Sequence, residues 1–137
     1  MNNVKEQYVS IDVAKLLARF PETEKSLDWN RHYWGYKTGE EFLSTSLYNR
    51  DYDYPAPTHQ VVFRWLREVM GIMAWIEFDG VKPNGQPIYR LRIMSIETGK
   101  PMWEGEEWQD MEVRSVEQGE DTLLKYILTK LIEERKN

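Results

Sequence analysis

The chain contains no cysteine, which excludes disulfides, thiolate nucleophiles and sulfur-rich metal sites together. Its two histidines, His32 and His59, stand in no His-x-x-x-His spacing and share no helix face with a carboxylate, so a transition-metal site has no support. The D-x-D-x-D-G pattern of a calcium loop is absent as well. No apolar run approaches the roughly 20 residues of a membrane span, and the N-terminus MNNVKEQYVS lacks the basic-then-apolar layout of a secretory signal. Positive charge is short too. The formal charge of −5 argues against binding nucleic acid through phosphate neutralisation. These absences predict a soluble, cytoplasmic protein with no cofactor, no metal and no membrane partner.

What is present is enough for a core. At 137 residues the chain reads as a single domain, 1–137, and with 41% hydrophobic and 30% charged residues it has the make-up of a globular fold rather than a disordered one. No internal repeat or low-complexity segment interrupts it.

The organising stretch is THQVVFRWLREVMGIMAWIEF, from Thr58 to Phe78. Thr58 suits a helix cap, and Val62, Trp65, Leu66 and Val69 follow at i, i+3, i+4 and i+7, with Gln60, Arg64, Arg67 and Glu68 on the opposite stripe. Gly71 is the natural stop. Ile72, Ala74, Ile76 and Phe78 then alternate with Met73, Trp75 and Glu77, which is the period of a half-buried strand. A second alternating run, Ile88 to Ile96, follows the turn-forming VKPNGQP, so the two make an antiparallel hairpin with one dry face.

Two helices flank this centre. Val13, Leu16, Leu17 and Phe20 predict a short N-terminal helix capped by Ser10 and ended by Pro21. Ser115 opens a capping box with Gln118, and Leu123 to Ile132 give the last helix a broad apolar stripe. Between Phe20 and the centre, the aromatic-rich segment around WNRHYWGY predicts a hairpin from His32 to Tyr36 and Phe42 to Tyr48. A further strand between Met102 and Val113 would complete a meander. The expected fold is therefore α+β: an antiparallel meander of three or more strands, covered on one face by the central and C-terminal helices, with a short N-terminal helix.

The run APTHQVVFRWLRE, the I-x-A-x-I-x-F strand, the aromatic strand PIYRLRI and the closing S-V-E-Q-G-E-D helix resemble a group of small proteins encoded by phages and prophages of gut anaerobes. Members carry a W-[FL]-R-E helix, a hairpin and a terminal helix opening on Ser-aromatic-Glu-Glu-Ala; many begin with a V-A-K-L-L helix like Val13 to Leu17. Here Val116 stands at the aromatic position and Gly119 at the alanine. The group brings no activity with it, so the resemblance implies a phage or mobile-element origin and assigns no site residues.

Candidate sites follow from composition. Eighteen aromatic residues exceed what a small core needs, and Trp29, His32, Tyr33, Trp34 and Tyr36 form the densest cluster, suited to a protein interface or to completing the core. Between Glu104 and Asp121 eight acids face Arg114 alone. Glu104, Glu106, Glu107, Asp110 and Glu112 head this run, which reads as a solvated loop, a mimic of nucleic-acid charge, or carboxylates of a small enzyme or ligand site. Arg64, Arg67, Arg90 and Arg92 are candidates for one basic patch. His59 follows the helix cap, where its ring could lie against the core or point to solvent, and the solvated first-turn reading is preferred. No set of nucleophile, base and orienting group emerges, so no catalytic residue is assigned and an enzyme is the less favoured class. The preferred expectation is a non-catalytic protein that binds a host or phage protein, or a second copy of itself, through its aromatic surface.

Overall fold

The computed structural model describes residues 8–20, 33–37, 40–44, 54–105, 113 and 115–135; for 33–37, 40–44 and 55 it describes the backbone. In chain order the elements are α1 (Ile11–Leu17), β1 (Tyr33–Lys37), β2 (Glu40–Ser44), β3 (Tyr54–Pro55), α2 (His59–Glu68), β4 (Ile72–Val81), β5 (Pro87–Ser95) and α3 (Val116–Arg135).

Each helix starts where a hydroxyl can serve its free amides. Ser10 accepts from the Val13 N–H, Thr58 from the Val61 N–H and Ser115 from the Gln118 N–H. The first two starts are held side by side. Tyr8 and Thr58 form an antiparallel bridge, and the Val9 N–H donates to the Pro57 carbonyl at 2.9 Å. Gly71, at φ +70°, turns the chain from α2 into β4 with open space around it.

The hairpin pairs β4 with β5 in the register Ile72↔Ser95 through Phe78↔Tyr89, irregular between Phe78 and Val81. Its inner face carries Ile72, Ala74, Ile76, Leu91 and Ile93, and α2 and α3 both pack on it. The core is one cluster: Val9, Val13, Leu17 and Phe20 from the N-terminal part, Val62, Trp65 and Leu66 from α2, and Leu123, Leu124, Ile127, Leu128 and Leu131 from α3. Trp65 meets Phe20 edge-to-face at 5.7 Å. Gly119 marks the closest approach of α3 to the sheet. A Cβ there would lie 3.0 Å from Val113 Cγ2 and 3.1 Å from Ile76 Cδ1, which accounts for glycine where alanine would favour the helix.

The fold is α+β, and among the described residues this sheet has two strands, so the three or more that the alternating pattern predicts are not shown. Beyond β5 the chain reverses at Gly99 and returns as a single bridge, Met94↔Pro101, with the Met102 N–H on the Ile93 carbonyl at 3.0 Å. Proline supplies no ladder donor, and Trp103 (φ 54°) and Gly105 (φ 80°) leave the extended region. The rest of the expected strand, 106–112, lies outside the described residues. The smaller sheet, in the order β2-β1-β3, contains the hairpin expected in the aromatic segment, with its second strand starting at Glu40 rather than Phe42; the expected continuation over 45–48 lies outside the described residues. Among the described residues no helix is long and apolar enough to cross a membrane.

Candidate binding groove

The two adjacent helix starts meet at one carboxylate, α1 through the Ser10 amide and α2 through the His59 ring. Asp121 Oδ1 accepts from the Ser10 N–H at 2.9 Å and lies 3.2 Å from His59 Nε2, while His59 Nδ1 lies 3.7 Å from Glu120 Oε1, an ion-pair distance too long for a hydrogen bond. His59 is only 3% exposed, so the expectation of a solvated first-turn histidine is corrected. The acids that hold it lie more than 60 positions along the chain, where no local pattern reveals them. Burial pushes the imidazole down, but the carboxylates of Asp121 and Glu120 outweigh it and raise its pKa from 6.5 to about 9. Burial likewise pushes Asp121 up, and the hydrogen bonds from His59 and Ser10 reverse that, holding it below the ordinary aspartate value. His59 is thus a cation at neutral pH. Its charge would be unfavourable at the positive end of α2 if Asp121 did not compensate both helix ends.

Glu120 connects this buried cluster to a surface groove. Gln60, Phe63, Arg64 and Arg67 stand at i, i+3, i+4 and i+7 on α2 and form one wall of a cavity of about 560 Å³. Ala74, Trp75 and Ile76 of β4 form the other, and Val116 and Glu120 of α3 complete the lining. Trp75 leaves 37% of its surface exposed. Arg64 and Arg67 are exposed and take no carboxylate partner among the described residues. Glu120 lines the groove too, and the single positive charge of His59, shared with Asp121, offsets it only in part; the two guanidinium groups, in no ion pair with a described acid, leave the groove net positive. The arrangement offers planar donors for carboxylates beside an aromatic face, and lacks a nucleophile placed against a base: the Ser10 hydroxyl caps α1, and both nitrogens of His59 face acids.

The single basic patch does not form. Arg90 pairs with Asp79, and Arg92 Nε donates to Glu77 Oε2 at 2.8 Å, on the outer face of the hairpin. Only Arg64 and Arg67 reach the groove. Of the aromatic cluster, Tyr33, Trp34 and Tyr36 fall in β1, opposite Ser44, Leu43 and Glu41, while Trp29 and His32 lie outside the described residues. Of the acidic loop, Glu104 is exposed, and Glu106, Glu107, Asp110 and Glu112 lie outside the described residues. Among the described residues no group of three His, Asp or Glu side chains could hold a metal ion. Trp75 was legible only as an outward strand position; an exposed tryptophan beside the wet stripe of α2 was the available signal. No family model, no curated protein and no solved structure matches this chain.

Proposed function

We propose that the chain is a non-catalytic protein-interaction protein whose contact surface is the groove between α2 and β4. The observation that carries this reading is the pair Arg64 and Arg67, in no ion pair with a described acid, beside the exposed ring of Trp75. Elsewhere on the hairpin each arginine is matched by an acid, Arg90 by Asp79 and Arg92 by Glu77. Tryptophan and arginine are the residues that dominate binding energy at protein interfaces. The resemblance to small phage and prophage proteins supplies the setting, an accessory protein acting in the cytoplasm on a host or phage protein.

The test is a pull-down from a bacterial lysate with the tagged chain, beside the Arg64→Glu, Arg67→Glu double variant. A stoichiometric partner retained by the wild type and lost from the variant is expected. A partner retained equally by both removes the groove from the interface.

A further inference from the structure

The hydrogen-bond phase of the hairpin shows what kind of chain the groove can take. In an antiparallel ladder, residues alternate between those whose amide and carbonyl meet the partner strand and those whose groups point away from it. The Ile96 N–H donates to the Gly71 carbonyl at 2.9 Å, while the Ser95 N–H turns outward to Lys100 and the Ile93 carbonyl outward to Met102. With Ile72 opposite Ser95 and Ala74 opposite Ile93, the main-chain groups of Ile72, Ala74 and Ile76 point away from β5. They take no backbone partner among the described residues. Ala74 and Ile76 line the groove. One wall is therefore a strand edge whose donors and acceptors are unpaired among the described residues, and the facing wall is the arginine stripe of α2.

Resting on the interaction reading above, we propose that this groove takes an extended acidic segment of a partner protein as an added strand on β4. Main-chain pairing would run along Ala74 and Ile76, and alternate Asp or Glu side chains would meet Arg64 and Arg67. An exposed edge selects an extended backbone, because only that geometry satisfies alternating donors and acceptors. Two guanidinium groups unpaired among the described residues select carboxylates, which accept their paired N–H donors in a planar fork. The exposed hydrophobic Trp75 and the half-buried Phe63 give apolar positions of the same segment a surface to cover.

The experiment uses the full chain and immobilised degenerate octapeptide pools, each fixing one residue type at one position. Pools fixing Asp or Glu should be retained about tenfold over those fixing Lys or Arg, and the preference should invert with Arg64→Glu, Arg67→Glu. The peptide so selected is then remade with N-methyl groups on alternate residues, in the two phases. One phase should lose binding to wild type by about tenfold or more and the other should keep it, since only alternate amides face β4. Retention without acidic preference, no retention of any pool, equal loss in both phases, or displacement of the peptide by a single-stranded oligothymidine would each overturn the proposal. If lysate still yields a partner lost with the double variant while no pool binds, the interaction reading stands and strand addition fails.

Discussion

Two charged regions meet on α2 and are built in opposite ways. At its first turn His59 is buried with a carboxylate facing each ring nitrogen; at Arg64 and Arg67 the charges are exposed and in no ion pair among the described residues. The difference separates charge that holds the fold from charge left for something else. A buried cation must be neutralised inside the chain, because moving it out of water costs several kcal/mol. A surface guanidinium needs no such partner, so its lack of one has no structural cost and stays available for binding.

The largest expected effect breaks the buried side of this contrast. Asp121→Ala removes the acceptor shared by His59 and the Ser10 amide, leaving a desolvated cation and an orphan donor. The loss should be about 3–5 kcal/mol, read as a lower urea midpoint with an unchanged slope. The pH dependence of the same cluster follows from its shifts. His59 is raised in the folded chain from 6.5 to about 9, so its contribution is complete below about 6.5 and is lost as pH rises through about 9. Asp121 is lowered, so its contribution is present above the usual aspartate value and is lost as pH falls through its folded one. Urea midpoints should form a plateau between those limits, with an alkaline fall of roughly 3 kcal/mol. His59→Gln should flatten the alkaline limb, and an unchanged limb would place the titrating group elsewhere.

Next in size is the joint between α3 and the sheet, which carries both regions. Gly119→Val places branched methyls against Val113 and Ile76, where a single Cβ already has about 3 Å, and should cost roughly 2–3 kcal/mol. Gly119→Ala should come close to neutral, since the helix gains about 1 kcal/mol while two side chains yield a few tenths of an ångström.

Much of the frame was legible in the sequence because it depends on neighbours along the chain. The apolar spacing from Val62 to Val69, the Gly71 stop and the alternation of Ile72 to Phe78 each state a local preference that the core then uses. The limits of legibility were equally physical. Pro101 and the positive φ of Trp103 limit the pairing beyond β5 to one bridge over the described residues up to 105, and alternation does not report either. The site was half legible: the spacing placed Arg64 and Arg67 on a wet stripe, yet grouped them with Arg90 and Arg92, whose acids lie across the hairpin. Likewise the acidic run concealed two different fates. Glu120 and Asp121 are bound into the fold by a histidine 61 and 62 positions away, a pairing that only the folded chain brings about.

The smallest expected effect on stability sharpens the comparison most. Arg64→Ala with Arg67→Ala should shift the urea midpoint by no more than about 0.5 kcal/mol equivalent, because neither side chain is buried or paired among the described residues. Trp75→Ala, which trims an exposed ring, should cost more than the arginine pair but less than Gly119→Val. Its loss should also remove an indole that reports on the groove. If the arginine variant were as damaging as Asp121→Ala, the guanidiniums would be structural and the groove would lose its claim to be a free surface. A near-neutral result beside a large Asp121 loss would show that one helix carries both kinds of charge, with the choice made by which side faces the core.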